Sequence, residues 1–266
     1  MDLQLAGKTA LIAGGSRGLG KASARALARE GVDVVLVART PEPLQAAAAE
    51  LSAETGRRVI AIPADTTDDE SVKRMAAQAL AAFGHIDILV NSAAEASGFA
   101  VPPKLDGVNN DNFWNDMNTK VMGYIRVARE LAPNMKERRW GRIINISGLG
   151  ARNSGNILGS IRNVAVVALT KNLADELGPF GINVTVVHPG TTRTEKRMET
   201  SAIQAQQKGV TIEEIEAGIA SGNSLKRMID ATEIADIVAF LASPRSIAIT
   251  GDVIAAGGGG GRAIYY

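Results

Sequence analysis

Residues 13–20 read AGGSRGLG, between an apolar run ending in TALIA and the alanine-rich segment KASARALARE. Glycines at 14, 18 and 20 let a backbone turn tightly, approach a pyrophosphate and pack the next helix close to a sheet, with the N-terminal amides of that helix facing the anion. Any tight strand-to-helix turn uses glycine, so the context carries the reading: the loop follows a strand, opens a small-residue helix and begins the first βαβ unit. The next apolar run closes on VART, residues 37–40. An NAD site places an Asp or Glu at this strand end for the ribose hydroxyls, whereas this chain has Ala38 and Arg39, with Arg17 in the glycine loop. Two guanidinium groups with no opposing carboxylate suit a 2′-phosphate, and therefore NADP(H). The plainer alternative is a pair of solvated surface arginines.

Other chemistries are poorly supplied. The chain has no cysteine and only two histidines, His85 and His188, about a hundred residues apart, so no metal-ligand spacing exists. His188 closes an apolar run where a nicotinamide would lie and has a side chain that titrates near neutrality; an ordinary strand-end histidine is the alternative. With 266 residues, 45% hydrophobic and 21% charged, and a formal net charge of +1, the chain has a sizeable core and advertises no nucleic-acid or membrane surface. The start, MDLQLAGKTALIAGG, has no secretory pattern, and runs such as VVLVA are too short for a bilayer. A soluble cytoplasmic protein with a small-molecule substrate is expected.

The elements that must position these residues follow from periodicity. Nearly continuous apolar runs place strands at 9–14, 33–38, 58–64, 87–92, 142–147, 183–188 and 251–256, as for strands covered on both faces. Helical spacing places helices at 18–30, 41–54, 68–83, 111–138, 160–177 and 230–242. Thr67 with Glu70 and Thr211 with Glu214 have capping-box spacing, and Gly31 and Gly178 are stop signals. In the 160–177 helix, Val166, Leu169, Leu173 and Leu177 form one apolar stripe and Ile161, Ala165 and Ala168 another, which predicts burial on more than one side. Alternating strands and helices make a doubly wound parallel sheet, and with no linker or repeat the reading is one domain over 1–266. The stretch 191–229, with one short helix near 211–220, breaks the rhythm and has the length of a lid or binding loop. Its TEKRMET segment, 194–200, reads as solvated lid surface or as a contact for an acidic substrate.

Together these motifs resemble the short-chain dehydrogenase/reductase family over essentially the whole chain. The glycine loop matches T-G-x-x-x-G-x-G with Ala13 for Thr; Asp65 in PADTTD matches the acidic residue near the adenine; Asn91 in NSAA stands for N-N-A-G; Asn118 in MNTKVMG matches the helical asparagine; and HPGTTRT, 188–194, resembles the P-G motif before the substrate loop. The resemblance implies a single-domain, Rossmann-type α/β fold with a doubly wound parallel seven-stranded sheet, usually assembled as a homodimer or homotetramer. It also implies cofactor contacts from Gly14, Ser16, Arg17, Gly18, Leu19 and Gly20 in the loop, and from Arg39, Asp65, Thr66, Asn91 and Ala93 at later strand ends. Asn163, Pro189, Gly190, Thr192 and Thr194 complete that set.

The departure lies in GSIRN, 159–163. The family carries Tyr-x-x-x-Lys here: the Tyr hydroxyl transfers the proton, and the Lys lowers its pKa and binds the nicotinamide ribose. Gly159 stands at the Tyr position and Asn163 at the Lys position. NISGLG keeps Ser147 where the family commonly has two serines, and places Gly148 at the second. Ser147 and Asn118 are therefore the expected catalytic residues. Two functions stay open. One is an atypical NADP(H)-dependent oxidoreductase acting on a small carbonyl, or on a conjugated enone or enoyl compound whose enolate neutral donors can partly stabilise. The other is a non-catalytic NADP(H)-binding protein, a redox sensor or partner subunit.

Overall fold

The computed structural model describes residues 1–94 and 104–261. The chain alternates β1 (Thr9–Ala13), α1 (Gly18–Arg29), β2 (Asp33–Ala38), α2 (Pro41–Thr55), β3 (Val59–Pro63), α3 (Asp69–Phe83) and β4 (Ile88–Asn91). After α4 (Asn110–Met117), a π-helical turn (Asn118–Met122) and α5 (Gly123–Arg138) come β5 (Gly141–Ile146), α6 (Ile157–Leu177) and β6 (Ile182–Pro189). The C-terminal part holds β7 (Thr192–Arg193), α7 (Glu195–Lys208), α8 (Ile212–Ala220), β8 (Ile229–Asp230), α9 (Ala231–Ala242) and β9 (Val253–Ala256).

Seven strands form one parallel sheet in the order β3-β2-β1-β4-β5-β6-β9. Alternate strand residues feed two cores, as a period of two dictates. Ile12, Leu36, Val90 and Ile144 pack with α1, α2 and α9, while Leu11, Val35, Leu89 and Ile143 pack with α3, α5 and the end of α6. Strand order reverses between β1 and β4, because the chain builds outward to β3 and then returns to the other side of β1. In such sheets the crevice outside the carboxyl ends of the strands at this switch point is the ligand site.

The expected strands and helices occur within a few residues of their predicted ends, with five corrections. The 111–138 helix is interrupted by the π-helical turn, a feature frequent at functional sites. Asp68, rather than Thr67, caps α3: Ser71 N–H donates to Asp68 Oδ1 at 2.6 Å, and Thr67 Oγ1 donates to Asp65 at 2.8 Å. Residues 191–229 contain a second helix, α7, and β7 pairs with β8. TEKRMET is not simply solvated, since Arg197 is buried and its guanidinium donates to Ser201 Oγ. Finally, α6 in a single chain buries only one side, through Val166, Thr170, Ala174 and Leu177; Ile161 and Ala168 of the second stripe are exposed. The Thr211–Glu214 capping box forms as expected. Among the described residues no helix is long and apolar enough to cross a membrane, and no group of three His, Asp or Glu side chains is placed to hold a metal.

Candidate active site

A cavity of about 590 Å³ opens at the switch point. Gly14 leaves β1 with φ +85°, and a Cβ there would lie 2.7 Å from the Ala93 nitrogen. At Gly20 a Cβ would lie 2.1 Å from the Gly14 oxygen, so α1 can ride against the loop only without a side chain. Arg17 occupies the N-cap position of α1 without capping it. Gly18 N–H instead donates to Glu195 Oε2 at 3.0 Å, a carboxylate reaching across from the start of α7.

The cavity brings together many of the residues picked from sequence. Gly14, Ser16, Arg17, Gly18 and Leu19 line it together with Arg39, Asp65, Thr66 and Ala93, and Ser147 and Thr194 are also on its surface. Asp65 is held in place, its Oδ1 accepting from Thr67 N–H at 2.9 Å and from the Thr67 hydroxyl. Gly20 lies beneath the loop. Asn91 is not on the wall: it is buried, and its Nδ2 donates to Asn145 Oδ1 at 2.9 Å, while Asn145 passes the link to Thr170 on α6. Pro189, Gly190 and Thr192 also stand off the wall. Thr192 Oγ1 donates to Gly190 O, and a Cβ at Gly190 would meet Gly257 at 2.9 Å.

The two expected catalytic residues stand differently toward the cavity: Ser147 lines it and Asn118 does not. Asn118 does not reach it; its Oδ1 accepts from Arg126 Nη1 at 2.9 Å. The π-helical turn presents Lys120 there instead. Lys120 is only 4% exposed, and its Nζ donates to Ser147 O at 3.0 Å and to Asn163 Oδ1 at 3.2 Å. Burial pushes the ammonium down to about 7; the Arg162 cation lowers it too, and Asp116 opposes both. Ser147 is on the wall, but its hydroxyl donates to Asn163 O at 3.1 Å.

Asn163 stays behind the wall, on the buried face of α6. Its Nδ2 lies 3.2 and 3.0 Å from where Cβ atoms would stand at Gly148 and Gly150, so glycine there makes room for the amide. Gly159 is in the first turn of α6, its N–H donating to the N-cap Asn156 Oδ1 at 2.8 Å. A Cβ on residue 159 would meet that carboxamide at 2.8 Å. Arg162, one residue before Asn163, forms a buried ion pair with Asp116.

Two other titratable side chains near the site, Tyr124 and His188, are buried and hydrogen-bonded. Tyr124 is buried, donates its hydroxyl to Ile146 O at 2.8 Å, and has its pKa raised by burial. His188 accepts from Gly148 N–H through Nδ1 at 3.1 Å; burial first, then Arg152 and Lys120, push it down to about 4, so it is neutral at physiological pH. Tyr265 and Tyr266 lie outside the described residues. Lys120 was missed from sequence, although a signal was present: it prolongs the buried stripe of Tyr124, Val127, Ala128, Leu131 and Met135 at three- and four-residue spacing.

Residues 13–260 match the family model described as Enoyl-(Acyl carrier protein) reductase. The chain is 31% identical to the 3-oxoacyl-[acyl-carrier-protein] reductase FabG of Vibrio cholerae, over 97% of this chain and 98% of that one. Its backbone superposes on L-sorbose reductase of Gluconobacter frateurii, solved with NADPH and L-sorbose, with a TM-score of 0.94 at 28% identity, covering 99% of this chain and all of the other. An NAD⁺-bound xylitol dehydrogenase gives 0.87 at 26% identity, covering 96% of this chain and all of the other.

Proposed function

The chain belongs to the short-chain dehydrogenase/reductase family, and from that premise we propose that it is an NADP(H)-dependent oxidoreductase acting on a small carbonyl, or on a conjugated enone or enoyl compound, without the Tyr and Lys that Gly159 and Asn163 replace. One observation carries the reading: the glycine loop, both arginines and Ser147 line a single cavity at the switch point. The residues present fit the cofactor. Side chains at positions 14 and 20 would fill the cradle, and the Gly18 N–H, which donates to the Glu195 carboxylate, is placed to donate to an anionic oxygen. Solved relatives include one with NADPH and one with NAD⁺, so the choice rests on Arg17 and Arg39 facing the cavity where a ribose-binding carboxylate is missing.

In this reading the first-turn amides of α1 hold the pyrophosphate, Arg17 and Arg39 hold the 2′-phosphate, and Asp65 and Thr66 border the adenine. When bound, the reduced nicotinamide supplies hydride. Residues 191–229 form the cover over the substrate, with Thr194 and Glu195 against the glycine loop at Gly18. The exposed apolar side chains of α6, Ile161 and Val164 at 44% and 50%, with Trp114 of α4 at 67%, suit contact with a second copy, as a homodimer or homotetramer.

Calorimetric titration with NADPH and with NADH tests the cofactor assignment. NADPH is expected to bind the more tightly, and Arg39→Asp to weaken it about 10- to 100-fold, the worth of a charge-assisted hydrogen bond. Binding of neither nucleotide would reject the oxidoreductase reading. Tight NADPH binding with no turnover of any carbonyl or enone would favour the non-catalytic one.

A further inference from the structure

We propose that Lys120 is the proton donor of this site, and that the substrate is a simple ketone or aldehyde, which needs an acid at its oxygen; the proposal rests on the NADP(H)-dependent reading above. The hydrogen-bond arithmetic of the side chain carries the argument. A lysine ammonium has three N–H donors and no acceptor. Two of them are fixed on neutral carbonyl oxygens, Ser147 O and Asn163 Oδ1. The third is left for a group in the cavity that Lys120 helps to line. When that proton departs, the neutral amine still has two N–H groups, so both buried carbonyls keep their donors. Proton transfer therefore breaks no hydrogen bond of the fold.

The surroundings point the same way. The charged and titratable groups facing Lys120 are Asp116 on its own helical run, Arg162 from α6, and His188 from β6 with Arg152 beyond it. Asp116 is engaged by Arg162. Lys120 thus sits on dipoles rather than on a carboxylate that would bind its proton tightly. Burial and the Arg162 cation bring its pKa down to about 7, close to where a general acid works best. Asn163, at the position where the family resemblance implies a lysine, accepts from a lysine that arrives from the neighbouring helical run.

The step balances. Reduction of a ketone takes a hydride at carbon, which the reduced nicotinamide supplies, and a proton at oxygen. The Lys120 Nζ–H bond breaks as the O–H bond forms, leaving an alcohol, oxidised cofactor and a neutral amine that regains its proton from water.

The test uses the full chain with lysine labelled by ¹³C at Cε, together with the Lys120→Arg and Lys120→Met variants. The Lys120 resonance, identified by its loss in both variants, is titrated with and without NADP⁺, and a midpoint near 7 is expected. NADPH oxidation with ethyl acetoacetate as the carbonyl probe is then followed across pH. In the wild type the rate is expected to fall as pH rises above that midpoint. Both variants are expected to bind NADPH within about threefold of wild type and to lose about 10²–10⁴ in rate. Arginine keeps the charge but cannot release the proton, so Lys120→Arg separates an acid from a cation that only positions the ribose. Activity retained in Lys120→Arg, or a Lys120 resonance that titrates above pH 10, would overturn the proposal, the second whether or not the probe is reduced. Failure of the wild type to bind NADPH would instead reject the cofactor reading on which it rests.

Discussion

A buried amine that deprotonates near neutrality makes folding stability depend on pH, and Lys120→Met isolates that dependence without a substrate. The side chain has a pKa of about 7 when folded and an ordinary value of 10.5. Between those values the unfolded chain binds the proton and the folded chain does not, so unfolding free energy rises with pH across that window. Below the window both states are protonated and the contribution is flat. Each pH unit inside it is worth about 1.4 kcal/mol, so between pH 6 and pH 9 wild type is expected to gain about 3 kcal/mol over the variant. Methionine also leaves Ser147 O and Asn163 Oδ1 without their donor, at about 1–3 kcal/mol each, but that offset is the same at both pH values. His188, pushed down to about 4, is neutral across the window and cancels. Urea unfolding of both proteins at pH 6 and pH 9, without nucleotide, gives the difference directly. A gap that stayed constant between the two pH values would refute the assignment of Lys120 as a readily deprotonated group.

Glu195→Gln is expected to tighten NADPH binding about two- to fivefold in a calorimetric titration, because it removes a negative charge from the helix N-terminus at Gly18, where such charges are worth about 0.3–1 kcal/mol. Tyr124→Phe strands the buried Ile146 carbonyl and is expected to lower stability by about 1–3 kcal/mol, while leaving the pH profile of NADPH oxidation unchanged. Asn156→Ala removes the cap on Gly159 N–H and is expected to cost about 1 kcal/mol, read as a lower midpoint in urea.

The sheet was legible because strands covered on both faces are mostly apolar: β2 carries an unbroken run from Val34 to Val37, and β6, buried along its whole length, carries Ile182, Val184, Val186 and Val187. The tight glycine turn was legible because Gly14 and Gly20 meet a steric requirement that no other residue satisfies. What escaped the reading has local physical reasons. Helix α7 buries Arg197, Ser201 and Ala205 at four-residue spacing, a stripe too polar and too small to register as hydrophobic periodicity. The cap of α3 moved one residue because Asp65 engages Thr67 and leaves Asp68 for Ser71. Asn118 was placed by motif alone; a motif fixes order along the chain, whereas the π-helical turn decides which of its side chains faces inward.

The residues around Gly159 and Asn163 form one interlocking set. Gly148 and Gly150 give up their side chains in the space where the Asn163 amide stands. Asn163, uncharged, accepts from Lys120 where a second ammonium would repel it. Arg162 takes Asp116 and so leaves Lys120 without a carboxylate partner. Gly159 leaves room for the Asn156 cap that starts α6. A tyrosine placed at 159 alone would displace that cap and find no cation at 163 to lower its pKa. A lysine placed at 163 would face Lys120 across a contact of about 3 Å. Each of these positions accommodates its neighbour, and together they leave Lys120 on the cavity lining with two neutral acceptors and with Asp116 engaged by Arg162.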